Sequence, residues 1–167
     1  MNIFFLDRDV KKCAQYHCDK HVVKMILESA QLLCSAHHMT DQVTDQVPYK
    51  LSHKNHPCSI WVRESLSHYL YLCELGLELC KEYSYRYGKR HKSQEVIEWC
   101  LTNKVKILDK GFSDPPKAMP DEYKVKDAVE SYRNYYKGAK MEFCKWKNRP
   151  VPEWVTESVK IVVETNP

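Results

Sequence analysis

Between positions 17 and 34 most sites are apolar, and the polar ones gather on one stripe when the segment is wound at 3.6 residues per turn. His17, Lys20, His21, Lys24, Glu28 and Gln31 make the stripe, while Val22, Val23, Met25, Ile26, Leu27, Ala30, Leu32, Leu33 and Cys34 cover the remaining circumference. An apolar arc wider than half the circle exceeds what a surface helix buries, so the pattern predicts a central helix whose polar stripe lines a groove. A solvated stripe carrying a Lys24 and Glu28 pair, with the histidines incidental, is the alternative that stays open. The helix is expected to run from about residue 10 to residue 38 with a bend at the histidines. Asp7 or Asp9 would cap it, and residues 3–6 would precede it as a short buried strand or an extended anchor.

The next start signal is Asn55-His56-Pro57, a cap followed by a proline suited to the first helical turn. It predicts a helix over residues 57–87, interrupted near Gly76 and stopped by Gly88, with Arg63, Ser67, Glu74, Glu78, Lys81 and Glu82 on its polar stripe. Ser93 is the expected cap of a third helix over residues 93–108, with Val96, Ile97, Cys100 and Leu101 turned inward. Pro115, Pro116 and Pro120 require an extended stretch over residues 111–120, and a helix should resume at Asp121. These elements predict an all-α fold: one compact domain of about four to six helices over residues 1–155, a C-terminal tail over residues 156–167, and loops near 39–52 and 109–120. The tetrapeptide Thr40-Asp41-Gln42-Val43 repeats at once as Thr44-Asp45-Gln46-Val47. Such a duplication is best accommodated in a surface loop.

Composition narrows the class. A chain of 167 residues with 43% hydrophobic positions can bury a proper core. The eight cysteines are scattered, several at apolar helical positions, and read as reduced core residues. The first residues lack the pattern of a secretory signal, and no apolar run is long enough to span a bilayer, so a cytoplasmic protein without membrane association is expected. A net charge of +4 does not by itself announce nucleic acid, so the distribution of charge matters more.

The densest candidate chemistry is His17-Cys18-Asp19-Lys20-His21. A lysine held against apolar surface beside another cation becomes a usable amine, so Lys20 or Lys24 can serve as nucleophile or base. His17 or His21 would move the proton, and Asp19 would orient or accept it. His17 and His21, four apart, would also suit one divalent metal, with Cys13 or the carboxylates of Asp19, Glu28, Glu74 and Glu78 as further ligands. However, no HExxH, paired CxxC or finger spacing completes such a set. Lys50, His53, Lys54 and His56 surround a predicted helix N-terminus and form a phosphate-binding corner.

Two clusters mix cations with rings. The first is Tyr83 to Lys92. The second runs from Tyr132 to Arg149 and holds six Lys or Arg and five aromatics against the single acid Glu142. That is the composition of a surface that neutralises phosphates and stacks bases, and equally of a helix with rings inward and lysines outward. Substrate contacts are accordingly assigned to Lys24, Asn55, His56, Arg63, Tyr85, Arg86, Arg133, Lys145, Trp146 and Arg149.

Several of these motifs carry a resemblance. Asn2-Ile3-Phe4-Phe5-Leu6-Asp7, His17 through Met25, Asn55-His56-Pro57, Tyr85-Arg86-Tyr87-Gly88, Met119 through Tyr123 and Tyr132-Arg133-Asn134-Tyr135-Tyr136 resemble a group of short proteins encoded by tailed phages and large DNA viruses. One departure is Val10, where that group has proline. The resemblance brings no assigned catalytic residue, and it implies context: small viral enzymes that act on nucleic acid, on nucleotides or against host defence. The expected function is a DNA- or nucleotide-directed viral enzyme, of base-modifying or glycosylase-like kind, using His17, Asp19, Lys20 and His21. A metal-dependent phosphohydrolase or nuclease and a non-catalytic nucleic-acid or host-factor binder are the alternatives.

Overall fold

A computed structural model of the protein describes residues 2–40 and 44–159. Residues 3–6 are buried one after another, without the in-and-out alternation of a half-buried strand, and run extended through the interior. They are the anchor rather than the strand of the sequence expectation, and no strand occurs among the described residues. Arg133 holds the segment by donating from Nε to the Leu6 carbonyl (2.8 Å) and by pairing with Asp7 (2.9 Å).

α1 (Val10–Tyr16) is capped by Asp9, whose carboxylate accepts the Lys12 N–H at 2.8 Å. The expected continuous helix does not form. His17 is extended (φ −62°, ψ 132°) and ends α1, and a new helix, α2 (Asp19–Thr40), begins two residues later. The bend foreseen at the histidines is therefore a full break, filled by side chains described below. α2 is central and packs against three other helices, α3 (Pro57–Glu64), α4 (Leu66–Tyr87) and α5 (Gln94–Thr102).

Pro57 opens α3, and His56 caps it by accepting the Cys58 N–H on Nδ1 at 3.0 Å. The interruption expected at Gly76 lies instead at Ser65, which is extended (φ −153°, ψ 141°). Its backbone turn is stitched by the segment after α5. The Ser65 hydroxyl donates to the Gly111 carbonyl (2.7 Å), and the Asp109 carboxylate accepts from the Ser67 hydroxyl (2.6 Å). Gly76 stays inside α4, where the missing Cβ makes room for Ile97 of α5. Gly88 ends α4 in the left-handed region (φ 68°), returning its N–H to the Ser84 carbonyl, as a helix-stop glycine does.

α5 is shorter than the sequence suggested. Ser93 sits at its cap position without making the capping bond, and its hydroxyl pairs with that of Tyr49 (2.8 Å). The chain then runs extended past the prolines to a single 3₁₀ turn (Asp121–Tyr123), so the helix expected at Asp121 starts seven residues later as α6 (Ala128–Tyr135) under an Asp127 cap. α6 widens into a π-turn, Tyr136–Lys140. The loop that follows reaches a last 3₁₀ turn, Glu153–Thr156, whose Trp154 packs on Tyr16 and Tyr136.

All eight cysteines are free thiols, and only Cys144 among them is partly exposed. No described helix is long and apolar enough to cross a membrane. Of the tandem repeat, Asp41 to Val43 lie outside the described residues, as do residues 160–167 of the expected tail.

Candidate functional site

Because the chain breaks at His17 and Cys18, the residues of the motif point in different directions. His17 is buried, and its Nδ1–H donates to the Cys13 carbonyl at 2.6 Å. Nε2 is then the unprotonated nitrogen, buried without a partner. Desolvation, helped by the nearby His21 and Arg86, pushes the imidazole down to about 3, so it is neutral near pH 7. His21 is buried too, stacked on Phe4 (centroids 4.2 Å apart) and hydrogen-bonded through Nδ1 to the Tyr136 hydroxyl (2.6 Å). Lys20 lies on the outside, its ammonium 4.4 Å from the centre of the Phe143 ring. The two imidazoles therefore face the interior and Lys20 the surface, and the three do not line one cleft. Among the described residues no group of three His, Cys, Asp or Glu side chains is arranged to hold a metal ion.

Asp19 belongs to an ionic network. Its carboxylate accepts the Lys147 backbone N–H (2.9 and 3.1 Å) and pairs with Arg86 (3.0 Å), while its own N–H donates to the Lys145 carbonyl (2.7 Å). Arg86, 0% exposed in its side chain, is the hub. Besides Asp19 it donates to Glu82 (3.0 Å), to the His17 carbonyl (2.8 Å) and to the Gln15 carbonyl (3.0 Å), closing the end of α1 that the break leaves open. Glu82 is also buried and receives Arg149 at 2.6 Å, which holds that guanidinium above its ordinary range. Arg149 lies 4.1 Å over the Tyr85 ring, and the Tyr85 hydroxyl donates to the Asn148 carbonyl (3.2 Å). Two carboxylates thus balance two guanidiniums, and the balance is what makes their burial tolerable. Trp146, donating to the Tyr16 carbonyl (2.8 Å), is likewise an interior residue of this join.

The exposed face of α2 is a ridge of Lys20, Val23, Lys24, Leu27 and, partly, Gln31. Val23 and Leu27, each about 40% exposed, put two aliphatic side chains on the same ridge as the two lysines. The turn between α4 and α5 abuts it, where His91 Nε2–H donates to the Val23 carbonyl (3.0 Å) and brings Arg90 and Lys92 alongside. At the edge of the ridge stands Glu28, 9% exposed. It is close enough to His56 to act on its charge. Burial pushes the His56 imidazole down, nearby positive charge including His53 adds to this, and the Glu28 carboxylate opposes it. Asn55 is exposed beside them, and Arg63 holds the turn by donating to the Lys54 carbonyl (2.8 Å).

Of the residues singled out in the sequence, Lys24, Glu28, Asn55, His56 and Arg63 thus share one region. Lys20, Tyr85, Lys145 and Arg149 share a second at the start of α2. Arg133 stands apart against the 3–6 segment, over the rings of Tyr16 and Trp154. Sequence reasoning gave Glu28 a place as a metal ligand or as the partner of Lys24, and it assigned no individual site role to Glu82, Phe143 or Lys147. Glu28 had one visible signal, a carboxylate on an otherwise apolar helix one turn after Lys24.

A comparison with models of known protein families matches residues 1–95, more than half of the chain, to the family described as pyrimidine dimer DNA glycosylase. No curated protein and no solved structure matches.

Proposed function

We propose, because this chain belongs to the pyrimidine dimer DNA glycosylase family, that it excises a damaged pyrimidine from DNA, with Glu28 as the carboxylate at the reacting sugar. Breaking the bond between C1′ and the base nitrogen builds positive charge on the sugar ring, which a carboxylate held out of bulk water stabilises. The same carboxylate takes a proton from the water that attacks C1′. The sugar then keeps the hydroxyl, and the proton passes to the departing base.

The observation that carries this reading is the placement of Glu28. Glu28 and Glu82 are the buried carboxylates among the described residues, and Glu82 is engaged by Arg86 and Arg149. Glu28 stands one turn after Lys24 at the edge of the cationic ridge, where its charge acts on His56. Lys24, one turn before it, and Lys20, about 12 Å from Glu28 along the helix axis at 1.5 Å per residue, would hold phosphates of the strand. Val23 and Leu27 would meet the opened base step. His56 would exchange the proton. In this reading His17, Asp19 and His21 keep the start of α2 in place, and only Lys20 of that motif meets the substrate. The phage or viral context of the enzyme belongs to the same proposal.

The test is direct. Duplex DNA carrying pyrimidine dimers should acquire abasic sites on incubation with the protein, and Glu28→Gln should lower that rate by about 100-fold or more. Unchanged DNA with the wild-type protein would overturn the reading.

A further inference from the structure

Residues 143–149 lie outside the family match, yet the ionic network at the α1 to α2 break is built around them. The loop is fixed at several points: Asp19 N–H to the Lys145 carbonyl, Asp19 carboxylate to the Lys147 N–H, Trp146 to the Tyr16 carbonyl, Tyr85 to the Asn148 carbonyl, and Arg149 to Glu82. Asn148 adopts a left-handed conformation (φ 60°) to make the last two joins. Holding a loop this firmly costs conformational entropy, and it leaves cations on the outer side. Lys145 and Lys147 are exposed, the Lys147 ammonium 5.2 Å from the centre of the Tyr87 ring. Beside them Lys20 and Lys140 both approach the Phe143 ring, at 4.4 and 5.9 Å. Several like charges collected on rings at the end of the α2 ridge form a ready acceptor for a polyanion.

We propose that Arg86, although it never meets solvent, is a positioning residue for DNA. Through Asp19 it holds the 143–149 loop so that Lys145 and Lys147 extend the cationic ridge of α2 and grip the strand beyond the site of excision. This rests on the reading of the α2 ridge as the DNA-facing surface. Arginine is required because its fork satisfies a carboxylate on each side and two helix-end carbonyls at once, which an ammonium does not.

The experiment is the dependence of duplex affinity on salt for the full chain. Removing one lysine from a phosphate reduces the slope of log K against log salt by about 0.9. Replacing Lys145 and Lys147 together by alanine should flatten the wild-type slope by about 1.8 on that basis. Asp19→Asn and Arg86→Lys should each flatten it by a similar amount, and Asp19→Asn added to the double lysine variant should change nothing more. Arg86→Lys puts the fold at risk, so its thermal unfolding is followed alongside. Should it not fold, the partly exposed Asp19 decides through Asp19→Asn, which removes the ion pair to Arg86 and exchanges the charged hold on the Lys147 N–H for a weaker neutral one. A wild-type slope in Asp19→Asn, or a flattening that adds to that of the lysine variant, overturns the positioning role and leaves the ridge reading standing. A wild-type chain without salt-dependent affinity for DNA overturns the ridge reading itself.

Discussion

His17 is a neutral imidazole locked in the interior, with its one N–H committed to Cys13 and its other nitrogen unpartnered. In the unfolded chain the same ring takes up a proton below its ordinary value near 6.5, whereas in the fold it does so only near 3. Between these values the unfolded state binds more protons, so stability rises with pH across the window and is lost as pH falls through it, by roughly 1.4 kcal/mol per pH unit at most. His17→Asn keeps a donor for the Cys13 carbonyl and removes the titration. Its unfolding free energy should therefore vary less between pH 3 and 6.5 than that of the wild type, as denaturant titrations at several pH values would show. A parallel profile would place the proton uptake elsewhere. The identity of this residue was legible as special in the sequence, and its direction was not. A helical wheel assumes a continuous helix, and the break at His17 and Cys18 rotates everything before it. His21 lies on the far side of that break, and its orientation comes from Phe4 and Tyr136, the latter more than a hundred residues away, which no local pattern encodes.

At the scale of elements, α2 and the beginning of α3 were readable because their signals are local: an almost continuous apolar arc, and a cap followed by proline. The end of α4 was readable for the same reason, since Gly88 takes a positive φ that other residues resist. Gly76 misled because glycine marks either a break or a close approach, and here it is the approach of α5. A Cβ on Gly76 would stand 2.9 Å from Cδ1 of Ile97, a side chain with no exposure to yield into. Gly76→Ala gains about 1 kcal/mol in helix propensity and loses about 1–3 kcal/mol to overpacking, so a net loss of stability is expected in thermal unfolding. Adding Ile97→Val, which removes Cδ1, should recover part of it even though that change alone costs about 0.5–1.5 kcal/mol. If the two losses simply add, the packing of α4 on α5 is not as described. The true break, at Ser65, depends on Asp109 and Gly111 arriving from forty-odd residues away. A serine between Glu64 and Leu66 gives no warning of that.

Across the whole molecule, the cations that the sequence placed in two separate clusters meet around the N-terminal half of α2. The turn after α4 contributes Arg90 and Lys92, the C-terminal loop contributes Lys145 and Lys147, and the helix itself carries Lys20 and Lys24. The sequence made the basic and aromatic composition of a candidate nucleic-acid surface legible. Which side of the molecule bears it follows from tertiary joins, above all the Asp19, Arg86, Glu82 and Arg149 network. In the proposed reading binding and chemistry are separable on this surface, because the lysines of the ridge are exposed while Glu28 is set at its edge. The most direct measurement is therefore single-turnover cleavage of the glycosidic bond in a dimer-containing duplex, read as abasic-site formation at saturating protein, for the wild type and Glu28→Gln, with the dissociation constant of each determined on the same duplex. The expected result is cleavage slowed by about 100-fold or more in the variant with affinity changed by less than about tenfold. Cleavage at the wild-type rate by Glu28→Gln would contradict the assignment of the reacting carboxylate.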